Sequence, residues 1–305
     1  MREDICFPFF YLTLQACFIL MQKNFVNYNG NIIEANQPIF TASNRAFRYG
    51  DAVFETIRLM NGEILFFEKH LFRLHQSMEL LGMNSHDDLT FHNLYLSIRH
   101  LDQVNNLNGN GRIRLEVFRN DGGLYTPQTN NVSFLIEVSS LSAKNYQLND
   151  TGLKIDLYTD IKKPVSRLSN LKSSNALYYV MAGLFKNKTN SGDCLVLNTD
   201  GRIAEAISSN IFLLKDQKIY TPSLDEACVA GIMRDVLIQK LRSQGREVIE
   251  KGINIEDLVS ADEIFLTDVI HGVRWVSAFK NKRYFNNFAL KLISEINDMH
   301  QIKKV

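Results

Sequence analysis

The chain has 305 residues, 45% of them hydrophobic and 22% charged, which is enough for one large or two ordinary domains around a buried core. Its 34 basic and 33 acidic residues leave a formal charge of +1, so there is no electrostatic basis for binding nucleic acid or an anionic membrane. Four cysteines without a C-x-x-C pair and seven histidines without ligand spacing argue against a metal site, and the same cysteines suit a reduced, cytoplasmic compartment. There is no Walker A loop and no G-x-G-x-x-G.

In chain order, the first distinctive stretch is the apolar run from Cys6 to Leu20. It is short of the roughly 20 residues a membrane helix needs. As a signal peptide it has Glu3 and Asp4 directly after Arg2, and no small-residue cleavage pattern follows. The expectation is a domain that begins near Met21, with residues 1–22 an extension outside it and membrane anchoring the lesser reading.

Residues 23–139 mix strands, hairpins and helices and form the first expected domain. Asn61-Gly62 is a two-residue hairpin turn between two β-like runs. A helix follows, with Leu71, Leu74, Met78 and Leu81 on one face and Gly82 ending it. "RIRLEVFR" and "NVSFLIEV" are strands on either side of the Asp121-Gly122-Gly123 turn. Residues 140–150 are polar and unpatterned, the candidate linker.

The second expected domain, 151–305, opens with the strand "LKIDLYT". A helix from about Asn175 to Lys186 carries an apolar stripe of Leu177, Val180, Met181 and Leu184. A hairpin about Asp200-Gly201, two short strands, a helix after Gly231 and the buried strand "EIFLTDV" complete it. Hairpins in both halves predict α+β domains rather than a doubly wound parallel sheet.

Three features carry chemistry. Lys172 stands alone among small polar residues in "LSNLKSSNALYYV", ahead of a helix. A helix N-terminus favours a neutral amine, the nucleophilic form, although by position alone a loop lysine reaching solvent is the preferred reading. Glu205, in an alternating strand, shares a face with Ile203 and Ile207, and a carboxylate there is costly unless paired. Gly231 starts a helix whose first N–H groups, at Gly231, Ile232 and Met233, make an anion site. Arg73, beside the first helix's apolar stripe, is a second anion ligand or a solvated arginine. A lysine nucleophile, a carboxylate for a ring nitrogen and a phosphate cradle together describe pyridoxal 5'-phosphate.

"EAISSNIFLLKDQKIYTPSLDEACVAGIMR", from Glu205 to Arg234, resembles the signature of class-IV aminotransferases, the fold-type IV pyridoxal-phosphate enzymes. "NRAFRYGDAVFETIRLMNG" and "EKHLFRLHQSMELLG" are similar to the family's N-terminal motifs, and the likeness runs from about Phe25 to Val276. The resemblance implies a two-domain α+β fold, a homodimer and a pyridoxal-phosphate site. Lys172 would carry the cofactor as a Schiff base and Glu205 would contact the pyridine nitrogen. Arg73 would bind the phosphate with backbone at Gly231, Ile232, Met233, Val269 and Ile270.

Within the family, Leu177 stands where branched-chain aminotransferases usually have tyrosine, and Glu55-Thr56 where they usually have Glu-Gly. With Asn175 these features look more like aminodeoxychorismate lyase. That likeness makes Thr56 a second catalytic candidate and Asn175 and Tyr49 substrate-binding candidates. Arg112 and Arg114 alternate with Ile113 and share a face; Arg114 is the candidate for a substrate carboxylate, and Arg112 is read as solvated. The first expectation is therefore pyruvate elimination to give p-aminobenzoate. The alternative is a branched-chain or D-amino acid aminotransferase, and a non-catalytic cofactor-binding homologue is the remote one.

Overall fold

A computed structural model describes residues 24–301, so the expectations for residues 1–22 lie outside the described residues. The first half lays down β1 (Phe25–Tyr28), β2 (Asn31–Glu34), α1 (Arg45–Tyr49), β3 (Ala52–Met60), β4 (Glu63–Ile64), α2 (Phe67–Leu80), α3 (Phe91–Val104), β5 (Gly111–Arg119) and β6 (Val132–Ser140). These strands make an antiparallel sheet in the order β2-β1-β6-β5-β3-β4. Asn61 and Gly62 both take positive φ, as the two-residue turn between β3 and β4 requires.

The two faces of this sheet follow from the period of two. On β3 the odd residues Val53, Ile57 and Leu59, and on β5 Ile113, Leu115 and Val117, pack with Leu71, Leu74 and Met78 of α2 into one core. The even residues Phe54 and Thr56 of β3, and Arg112 and Arg114 of β5, line a cavity on the other side. The shared face expected for the two arginines is therefore present.

The second half supplies β7 (Leu153–Lys163), α4 (Leu177–Thr189), β8 (Asp193–Asn198), β9 (Ile203–Ala206), β10 (Asn210–Lys215), β11 (Lys218–Pro222), α5 (Ile232–Ser243), β12 (Val248–Lys251), α6 (Ile255–Ser260), β13 (Glu263–Asp268), β14 (Gly272–Phe279), β15 (Lys282–Arg283) and α7 (Asn287–Gln301). Its mixed sheet runs β12-β11-β10-β13-β14-β7-β8-β9, with β15 on β14. Ile232, Val236, Leu237 and Leu241 of α5 are buried as their spacing predicts.

Three expectations change. The helix after Lys172 begins at Leu177, and its stripe faces outward: Leu177 is 74% exposed and Leu184 58%. Tyr179, Ala182 and Phe185 of α4, a second set at i, i+3 and i+6, pack instead with Tyr158 and Val196. The connection between the sheets is polar but tied down. Tyr146 is buried and its hydroxyl donates to Val269 O at 2.9 Å, while Arg58 donates to Ala143 O at 2.6 Å. Finally, Ile203 and Ile207 join different clusters, because the β8–β9 register shifts between Val196 and Leu197.

Candidate active site

A cavity of about 900 Å³ opens between the two sheets, lined among others by Thr56, Arg73, Lys172, Glu205, Met233 and Val269. β3 is its spine. Phe54 N donates to Lys172 O at 2.8 Å and Ser174 N to Ala52 O at 3.0 Å, so the loop carrying Lys172 is hydrogen-bonded to the strand edge. Lys172 Nζ lies 4.6 Å from the Phe54 ring centre. Burial, then the Arg73 guanidinium, bring the Lys172 amine down from its ordinary range to about 8, against the pull of Glu55 and Glu205. The depression expected from a helix end thus has a different cause: Lys172 stands five residues before the first residue of α4.

Glu205 is 3% exposed and its carboxylate accepts three hydrogen bonds, which leaves one of its acceptor sites open. Oε1 accepts from Lys163 Nζ at 2.7 Å and from the Tyr179 hydroxyl at 2.6 Å; Oε2 accepts from Val229 N at 2.9 Å. The pairing demanded by a carboxylate in an apolar strand is supplied by Lys163. Burial, then Glu205, push the Tyr179 phenol well above its usual range, so it remains a proton donor.

Arg73, one turn along α2 from His70, reaches the cavity wall. Nε donates to Glu55 Oε1 at 2.8 Å, Nη2 donates to Glu55 Oε2, and Nη1 donates to Ala230 O at 2.6 Å. His70 Nδ1 lies 2.7 Å from Glu55 Oε2. Burial alone would raise the Glu55 carboxyl, but Arg73 and then His70 overcome it and hold it at about 2. A solvated helix arginine is ruled out by this geometry.

Beside Arg73, through its bond to Ala230 O, stands the first turn of α5, where Ile232 and Met233 line the cavity. The anion site there differs in two details from the expectation. Gly231 N donates to Val229 O at 2.8 Å, which removes it from the N–H groups available to an anion. Its lack of a side chain is required by protein contact as well: a Cβ at Gly231 would fall 1.9 Å from Asn210 Oδ1. On the loop after β13, Val269 and Ile270 also line the cavity, but Ile270 N donates to Asp268 Oδ1 at 2.9 Å. The buried Thr267 hydroxyl on the same wall has no hydrogen-bond partner among the described residues, a donor suited to a phosphate.

The remaining candidates share the cavity. Tyr49 packs 5.5 Å from Tyr125 between ring centres, and Asn175 Nδ2 donates to Gly50 O at 3.1 Å. Arg114, expected to meet a substrate carboxylate, is ion-paired within the protein. Its Nη2 and Nε donate to Glu116 Oε2 at 2.7 and 3.1 Å, while Ser174 donates to Glu116 Oε1 at 2.5 Å. Arg112, read as solvated, is exposed as expected; it lines the cavity, and its side chain has no ion-pair or hydrogen-bond partner among the described residues. The cause is local: Glu116 follows Arg114 two residues on, on the same strand face.

The family profile of the amino-transferase class IV enzymes matches residues 52–279, most of the chain, with strands of both sheets. The chain belongs to this family. A D-alanine aminotransferase of Bacillus licheniformis is 27% identical over 263 residues, covering 79% of this chain and 83% of that protein. An aminodeoxychorismate lyase of Vibrio harveyi is 26% identical over 235 residues, 76% of this chain and 84% of that protein. Among solved structures, the branched-chain amino acid aminotransferase of Escherichia coli matches with a TM-score of 0.80 at 22% identity, covering 90% of this chain and 93% of that chain. That likeness shows the fold, the two-domain α+β architecture of fold-type IV.

As a class IV enzyme the chain assembles its cavity from residues the sequence signalled and from others it hid. Lys163 differs from exposed Lys162 only in strand parity, and nothing in "DIKKP" marks it. Glu55 and His70 read separately as a strand carboxylate and a helix histidine. Only the packing of β3 on α2 joins them to Arg73. The signal available was H-x-x-R itself, which places His70 and Arg73 one helical turn apart on the same side.

Proposed function

We propose that the protein binds pyridoxal 5'-phosphate and acts as an aminodeoxychorismate lyase-like enzyme. It would release pyruvate and p-aminobenzoate without a keto-acid acceptor. The observation that carries this reading is the charge on the substrate side of the cavity. Four arginines, Arg45, Arg112, Arg114 and Arg119, line it. Arg45 and Arg119 share the single carboxylate of Asp51 at 2.8 and 3.0 Å, and Arg114 pairs with Glu116, with half-exposed Glu137 at 3.9 Å. A wall with surplus positive charge suits a substrate with two carboxylates better than a branched aliphatic side chain.

The cofactor half of the reading rests on Lys172, Glu205, Arg73, the first turn of α5 and the Thr267 hydroxyl. When bound, pyridoxal 5'-phosphate supplies an electron sink for charge that develops at the substrate carbon. The Lys172 amine, neutral above about pH 8, would hold the cofactor at its aldehyde carbon and would serve as the base for the adjacent substrate C–H. Glu205 would hold the ring nitrogen, and Arg73 with the N–H groups of Ile232 and Met233 would hold the phosphate. Thr56, beside Phe54 on the cavity face of β3, offers a hydroxyl to the departing group.

A D-amino acid or branched-chain aminotransferase is the second reading, favoured by the likeness to the Bacillus licheniformis protein. The test is to give the purified protein aminodeoxychorismate alone, then D-alanine, L-leucine or L-glutamate with 2-oxoglutarate. Sustained p-aminobenzoate release supports the lyase. Efficient amino transfer with no p-aminobenzoate assigns the protein to the aminotransferases.

The reading includes a homodimer. Helix α4 carries an outward apolar stripe besides the one it buries, and an exposed stripe of this kind suits a second partner. Its outer residues Leu177, Val180 and Leu184, with Phe47 and Tyr125 near the cavity mouth, fit a second copy of the chain. No helix among the described residues is long and apolar enough to cross a membrane. A cytoplasmic location remains part of the proposal, resting on the free, buried Cys194 and Cys228.

A further inference from the structure

The buried cation Lys163 has no role in the reading above, and its surroundings give it one. It stands at the end of β7, 5% exposed, and all three of its N–H bonds have acceptors. They are Ser169 O at 2.8 Å, the Tyr179 hydroxyl at 2.8 Å and Glu205 Oε1 at 2.7 Å. The ion pair with Glu205 is closed to water, with side-chain exposures of 6% and 4%. Such a pair is held only where both charges are fully hydrogen-bonded, as they are here.

We infer that Lys163 is a positioning residue that sets how strongly Glu205 holds the ring nitrogen of a pyridine cofactor. The inference rests on the cofactor reading proposed above. Three donors converge on one carboxylate: the ammonium and the phenol on Oε1, and the Val229 N–H on Oε2. The phenol and the N–H are neutral, so Lys163 alone cancels the carboxylate's formal charge. A protonated ring nitrogen approaching Glu205 therefore meets a neutral pair rather than a bare anion, and competes with Lys163 for it. That competition limits how far the ring nitrogen is held protonated, and so limits the electron sink. Without Lys163, Glu205 would give its whole charge to the ring. Lys163 also has a cost that explains why it is fixed so fully: any departure of its Nζ would leave the Glu205 carboxylate buried without a counter-charge.

The experiment compares two ligands on the full-length apo-protein, pyridoxal 5'-phosphate and its carbocyclic analogue with C–H in place of the ring nitrogen. Both offer the same aldehyde and phosphate, so the ratio of their dissociation constants isolates the ring-nitrogen contact. Lys163→Gln retains donors for Glu205 without the charge, and Lys163→Arg retains the charge. In Lys163→Gln the preference for the pyridine ligand should rise by about tenfold, the scale of one charge-assisted hydrogen bond. In Lys163→Arg it should stay near the wild-type value. Lys163→Met serves as a second neutral variant and should raise the preference in the same direction. A ratio that is unchanged or lower in both neutral variants overturns the inference while leaving the cofactor reading intact. Failure of the wild-type protein to bind either ligand overturns both.

Discussion

At the scale of single residues, two buried charges with shifted proton affinities make separate expectations. The Lys172 amine is held near 8, against 10.5 for an ordinary lysine. The rate at which apo-protein captures pyridoxal 5'-phosphate should therefore rise with pH and level off just above 8, read by borohydride trapping and peptide mapping to Lys172. An inflection near 10 would contradict the burial argument, and Lys172→Ala should abolish the label. Glu55 is the opposite case. Its carboxyl is held at about 2, below the ordinary 4.5, so its contribution to stability is complete above pH 4.5 and is lost as pH falls towards 2. Glu55→Gln leaves buried Arg73 without its counter-charge and should cost about 3–5 kcal/mol at pH 7. In denaturant titrations the variant's stability should also change less than that of the wild type between pH 4.5 and 2.

At the scale of elements, alternation along β3 and β5 decides what the cavity contains. Odd residues as far as Val117 build a core against α2 and α3, and even residues face the substrate side, so a strand legible by its period also assigns its functional face; Arg119, at the end of β5, reaches the cavity from its rim. Capping is decided less locally. The glycine before α5 was legible as a helix start, but the demand for glycine there comes from Asn210, whose side chain donates to Val229 O at 3.0 Å. Gly231→Ala forces a Cβ to within 1.9 Å of Asn210 Oδ1 and should destabilise the protein by about 1–3 kcal/mol in thermal melts. Adding Asn210→Ala should recover the part of that loss due to the collision. No recovery would place the strain elsewhere.

At the scale of the whole molecule, the two sheets are joined by tied segments, and one helix is left with an apolar side outward. Arg58 links β3 to Ile270 O on the second sheet's loop and to Ala143 O in the connection, and Tyr146 of that connection packs into the second core. On the outside of α4, replacing Leu177 and Leu184 together by aspartate should convert a dimer to a monomer in sedimentation analysis, with little loss of fold. A wild-type protein that sediments as a monomer at micromolar concentration would contradict the second-copy reading.

Much of this protein was legible from residues alone. Period and turn chemistry placed the Asn61-Gly62 hairpin, the buried face of α2 and the strand at Glu263–Asp268, because these are local consequences of backbone geometry. The family motifs brought Lys172, Glu205 and Arg73 forward as one constellation, and all three line one cavity. The tertiary structure decided the rest. It chose which of two apolar faces α4 buries, since both satisfy helical spacing and only the fit against β7 and β8 separates them. It gave Glu205 its partner, since Lys162 and Lys163 are indistinguishable until strand parity in a folded sheet turns one outward and one inward. It tied Arg114 to Glu116 and left Arg112 without a partner. Charge pairing in a buried cavity is settled by which side chains meet across elements distant in sequence, and a linear pattern has no term for that distance.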